Sequence, residues 1–164
     1  MAVIVWLTEG TWAACVDAAR MFAPTQDVAL LHVTDDDVAG AAHAAYRGLL
    51  GRGHPERDPG ARLEELAAQA AASLLAAAAA RLGRPVTRLE RRGRVERQVV
   101  QAAQDAELLV LARDGDRTRL GPHSLGPQTR FVVDHAPCPV LLVWPEPAPD
   151  VTSLPPPPPP HKMR

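Results

Sequence analysis

Short, wholly apolar runs recur along the chain, and the stretches between them are long enough for a helix. The runs are AVIVWL at 2–7, the apolar part of DVALLHV at 27–33, LLVL at 108–111 and VLLV at 140–143. None alternates with polar residues, which predicts strands buried on both faces, as in a parallel sheet covered by helices. After the first run, Thr11 is placed to cap a helix through Trp12, Cys15, Val16, Ala19 and Phe22, which Pro24 ends. A long helix is predicted over 61–82. Ala, Leu, Glu and Gln dominate it, Leu63, Leu66, Leu74 and Leu82 mark its apolar stripe, and Gly83 stops it. Residues 85–91 read as a more polar third strand, with Val86 and Leu89 as its apolar members. Gly93 then turns into a helix that buries Val95, Val99, Val100, Ala103 and Ala106. Gly126-Pro127 opens a last helix through Phe131, Val132 and His135-Ala136, closed by Pro137. Between 38 and 60 the pattern is poor, with helix expected around 41–50 and an irregular loop over GRGHPERDPG. Strands alternating with helices imply an α/β fold with a parallel sheet, whose ligand loops lie at the strand carboxyl ends.

The pattern ends at Trp144. Residues 1–144 are expected to form one domain, and 145–164 a proline-rich disordered tail. Six consecutive prolines at 155–160 cannot pair in a sheet or continue a helix, and favour an extended polyproline conformation. The tail reads as a solvated segment. A proline-binding protein is its conceivable partner.

Composition narrows the function classes. Aromatic residues are 4% of the 164, so the core must be built from Ala, Val and Leu. A net charge of −1 gives no global attraction to nucleic acid or to an anionic membrane. Cys15 and Cys138 fit no disulfide framework or zinc spacing and read as small buried hydrophobes. The N-terminal run has no basic flank or cleavage-like site, and the Ala-rich run 66–80 is too short to span a bilayer. A cytoplasmic location is expected.

Two stretches resemble the universal stress protein family. Residues 103–111, AQDAELLVL, are similar to the family's A-x-x-A-D-L-[IL]-V-[LM], with Glu107 for Asp. Residues 136–143, APCPVLLV, are similar to its closing A-P-C-P-V-L-[LV]-V. His32-Val33 at the end of the second strand and Gly93 also fit, so the resemblance runs from 2 to 143. It implies a five-stranded parallel sheet in the order 3-2-1-4-5 with helices on both faces, a Rossmann-like fold of the adenine nucleotide alpha hydrolase kind. It also implies a frequent ATP site at the strand carboxyl ends, with Mg²⁺ accompanying the nucleotide. If nucleotide binds, the corresponding positions are Glu9, Val33, Ala112, Gly115, Gly126 and Thr129.

The family's binding motif, G-x2-G-x9-G-[ST] after the fourth strand, is not kept. Ala112 replaces the first Gly, and ten residues separate Gly115 from Gly126. Pro127 replaces the Ser or Thr, removing a hydroxyl and a backbone donor, while Thr129 keeps a later hydroxyl position. Glu9 stands near the family's Asp after the first strand. One donor lost to a charged phosphate costs on the order of 1.5–3 kcal/mol, roughly ten- to a hundredfold in affinity. Arg113, Arg117 and Arg119 attract an anion, but Asp114 and Asp116 share their loop.

Other constellations read as structural. His135 and Cys138 lack further ligands nearby, His123 and Ser124 lack an orienting third group, and Asp35-Asp36-Asp37 is a solvated loop before it is a Mg²⁺ site. The arginines between 84 and 97 protect a sheet edge. At the other edge, the uncharged Val140–Val143 invites a second copy of the chain, giving a homodimer. The expectation is a stress-response binding or scaffold domain with a degraded adenine-nucleotide site and no catalytic residues. The alternatives are an ATP-binding member with slow hydrolysis and, more distantly, a flavin- or nucleotide-dependent enzyme on a similar fold.

Overall fold

The computed structural model describes residues 1–50 and 58–160. Strands β1 (Val3–Trp6), β2 (Val28–Thr34), β3 (Thr87–Arg92), β4 (Leu108–Ala112) and β5 (Val140–Val143) form one sheet. All pairs are parallel, in the order β3-β2-β1-β4-β5. Helices α1 (Trp12–Phe22), α2 (Asp36–Leu50), α3 (Pro59–Leu82), α4 (Val95–Ala102) and α5 (Pro127–His135) fill the connections.

The apolar runs work as two-faced strands. Val3, Val5, Leu7, Leu30 and Val110 point into one core layer with Cys15 and Val16 of α1 and Leu74, Leu75 and Ala78 of α3. Ile4, Trp6, Leu31 and Leu109 point into the other, with Val95 and Val99 of α4 and Val132 of α5. Leu30 and Leu109 are fully buried, and each such side chain contributes about 1.5–3 kcal/mol relative to exposure.

Three local expectations shift. The helix expected around 41–50 is present but starts earlier, at Asp36, and with α3 it connects β2 to β3. Asp35 accepts the Asp37 amide at 2.9 Å, while Asp36 and Asp37 occupy the first turn of α2, where negative charge suits the helix dipole. The Asp35–Asp37 cluster therefore starts a helix. Most of the expected GRGHPERDPG loop falls on 51–57, outside the described residues. In α3 the stripe holds at Leu74 and Leu82, but Leu63 and Leu66 are 38% and 49% exposed. Its opening turn is set by Asp58, which accepts the Gly60 amide at 2.8 Å, with Pro59 at the first helical position. By length and composition α3, at 24 residues, passes as a membrane span. It is longer than the Ala-rich run 66–80. Here α3 lays Ala71, Leu74, Leu75, Ala78 and Leu82 on the rest of the fold.

Candidate functional site

β1 and β4 are neighbours, and β2 and β5 flank them on opposite sides. The chain order reverses between β1 and β4, so a crevice is expected outside their carboxyl ends. Two loops border it, Thr8–Thr11 after β1 and 113–126 after β4. Glu9, Val33 and Ala112 all lie at this end of the sheet, but their side chains have different surroundings. Glu9 is exposed on the tight turn that Gly10 makes with φ +83°. Val33 is buried in the layer with α4 and α5, and Ala112 in the layer with α1 and α3. Thr11 takes the N-cap position of α1, yet its hydroxyl does not cap it. It pairs instead with the Thr8 hydroxyl at 2.8 Å. His32 interrupts the apolar part of β2 with a polar ring. Its Nδ1 donates to the Leu7 carbonyl at 3.2 Å, across the adjoining ends of β1 and β2; a carbonyl partner requires the proton on that nitrogen.

The loop after β4 folds back on itself. The Gly115 and Asp116 amides donate to the Ser124 and His123 carbonyls at 2.9 and 2.8 Å. Gly115 permits this approach, because a Cβ there would stand 2.3 Å from the His123 carbonyl oxygen. Ser124, fully buried, donates to the Gly121 carbonyl at 2.6 Å and accepts from the Arg113 guanidinium. It is a turn residue.

α5 begins with the donors that an anion would use. Gly126 is its N-cap and brings no side chain, and Pro127 at the first helical position brings no N–H. Asp114 brings an acceptor to this end of the helix. Its Oδ1 accepts the Gly126 amide at 2.7 Å, and its Oδ2 accepts the Thr129 hydroxyl at 2.8 Å. Thr129 is 1% exposed, so its hydroxyl has little access to solvent. Thus Gly126 and Thr129 do meet at one point, and an internal carboxylate is there. Gly115 adjoins that carboxylate, but its amide is committed to Ser124.

Two of the three arginines expected to attract phosphate are turned to the segment after β5. The Arg113 guanidinium lies 4.6 Å from the Trp144 ring centroid, a cation–π contact. Arg117 pairs with Glu146 at 2.5 Å. Beyond them, Val151–Ser153 form a short 3-10 turn, and Ser153 Oγ accepts the Leu120 amide at 3.0 Å. The described part of the proline-rich tail, 145–160, thus lies in part against the loop. Residues 161–164 fall outside the described residues.

His135 Nδ1 bonds the Phe131 carbonyl at 2.7 Å, and its ring stacks on Phe131. Both cysteines are free, and burial pushes the Cys15 thiol up to about 12. Among the described residues, no three His, Cys, Asp or Glu side chains are grouped to hold a metal.

The model of the universal stress protein family matches residues 8–143. The chain belongs to the universal stress protein family. Among solved structures, this universal stress protein chain is similar to a hypothetical protein whose biochemical function was assigned from its structure. The two share 17% identity over 89% of this chain and 97% of the other, with a TM-score of 0.66. It is also similar to a universal stress protein in complex with cAMP, at 15% identity over 88% and 98% and a TM-score of 0.56. A third relative is the Archaeoglobus fulgidus universal stress protein in complex with dAMP, at 16% over 87% and 97% and a TM-score of 0.51. Among curated proteins no sequence matches.

Proposed function

We propose that this universal stress protein domain is a stress-response binding or scaffold domain whose adenine-nucleotide site has been degraded, and that it does not turn over ATP. One observation carries the reading: the Asp114 carboxylate holds the Gly126 amide and the Thr129 hydroxyl. A phosphate arriving there must displace a like-charged group and then find no hydroxyl or N–H at Pro127. The relatives that hold cAMP and dAMP support descent from a nucleotide-binding site. Asp114 is itself exposed, which favours a second reading, in which it swings out and ATP binds weakly with slow hydrolysis.

Thermal unfolding with ATP and Mg²⁺ separates the two. Ligand at a hundred times its dissociation constant stabilises by about 2.7 kcal/mol, several degrees for a chain of this size at roughly 2–4 °C per kcal/mol. The degraded site predicts a shift below about 1 °C in millimolar nucleotide. A shift of several degrees establishes the ATP-binding reading instead.

The same proposal includes a homodimer paired through the outer edge of β5 in the cytoplasm. β5 is a terminal strand, and its four residues are all partly exposed in the single chain. Light scattering at micromolar concentration should give twice the chain mass; a monomer overturns the dimer. A proline-binding protein remains the proposed partner class for the tail.

A further inference from the structure

We propose that the cleft between the β4–α5 loop and the C-terminal segment is a binding site for a small aromatic organic monoanion. Its volume is about 670 Å³, within the range of roughly 300–1,000 Å³ usual for small-molecule sites. None of Glu9, Val33, Ala112, Gly115, Gly126 or Thr129 lines it, so it stands apart from the nucleotide positions and from the fate of that reading.

Each wall carries hydrogen bonds of its own. The loop wall is held by its own backbone bonds at Gly115 and Asp116. The opposite wall, Ser153–Pro156, is tied down by the Ser153–Leu120 hydrogen bond and approached through the Arg117–Glu146 pair. Its turn is capped by Asp150, which accepts the Thr152 amide at 2.8 Å.

The lining determines the ligand class. Leu120, Leu154 and the proline rings offer flat and branched apolar surface to a planar ring system. Leu154 is 56% exposed, so covering it removes apolar area from water. Arg119 and His123 stand on the loop wall. Among the described residues Arg119 has no carboxylate within 4.0 Å, unlike Arg117, although it and His123 act on Asp116 through space, so it offers an acid group a positive charge that Asp116 partly offsets. Asp116 also lines the cleft, but its Oδ1 is held by the Thr118 amide at 3.0 Å and hydroxyl at 2.6 Å. The remaining negative charge argues against a polyphosphate and for a ligand with one negative group.

Anilinonaphthalene sulfonate, one sulfonate on two aromatic units, is the probe. The full chain should bind it saturably at one site, read by fluorescence titration. Arg119→Ala should weaken binding about tenfold, the loss expected for one charge-assisted contact. Leu154→Asp, which adds a like charge to the apolar wall, should abolish it. Arg88→Ala, exposed on β3 at the far edge of the sheet, should leave it unchanged. Arg119 and Leu154 are both exposed, so the variants should keep the parent circular dichroism and melting temperature. Absence of saturable binding overturns the proposal. So does parent-like affinity in both Arg119→Ala and Leu154→Asp, or an equal loss in Arg88→Ala.

Discussion

Replacing Asp114 by Ala tests how much the loop after β4 depends on its internal carboxylate. The variant removes acceptors from the Gly126 amide at 2.7 Å and the Thr129 hydroxyl at 2.8 Å. The Gly126 amide, at an exposed site, loses one hydrogen bond, worth about 1 kcal/mol. The Thr129 hydroxyl, only 1% exposed, loses its acceptor, which for a buried donor costs about 1–3 kcal/mol. The sum is at least about 2 kcal/mol, or roughly 4–8 °C or more in melting temperature. Asp114→Asn keeps one acceptor oxygen and should fall between parent and Ala. Scanning calorimetry of the three proteins in phosphate-free buffer is the assay. A melting temperature for Asp114→Ala within 1 °C of the parent would refute the reasoning, because the two bonds would then contribute nothing.

Gly115→Ala should destabilise by about 1–3 kcal/mol through overpacking, since its Cβ would meet backbone 2.3 Å away. Faster hydrogen exchange of the Asp116 amide should accompany it, and unchanged exchange would contradict the loop geometry. His43 lies between Asp58, 2.5 Å from Nδ1, and Glu64, 3.2 Å from Nε2. Both hydrogen bonds raise its pKa above the ordinary 6.5. Stabilisation from a raised pKa is complete below the unfolded value and is lost as pH rises through the folded one. The urea midpoint of the parent should therefore exceed that of His43→Gln most at pH 5.5, and the gap should narrow by pH 9. A gap that widens with pH is the wrong sign for this arrangement.

The sequence carries the sheet well because its strands announce themselves. Leu109, Val110 and Leu111 have no polar neighbour to spoil a two-faced strand, and all three are buried. Pro127 at the first helical position and Pro137 after the last turn bracket α5 as their backbone restrictions require. α3 was less legible. The apolar stripe on its second half meets the sheet layer, while Leu63 and Leu66 on its first half remain exposed; periodicity cannot tell how far a helix overhangs its partner. The site was half legible. Motif position points to Gly115, Gly126 and Thr129, and the charge of Asp114 opposes phosphate. That Asp114 reaches the start of α5, across 12 residues, depends on how the loop doubles back at Gly115, which no local pattern records. Trp144 and Glu146 lie past the last strand, where the pattern stops, so their hold on Arg113 and Arg117 had no signal in spacing.

The most direct measurement is an amide-resolved NMR titration of the parent chain with ATP and Mg²⁺, followed at Gly115 and Gly126. With the Gly126 amide already bound to Asp114, the two resonances should show no saturable shift up to millimolar nucleotide. A saturable displacement of the Gly126 resonance would mean that phosphate takes the place of Asp114, and the degraded-site account would be wrong.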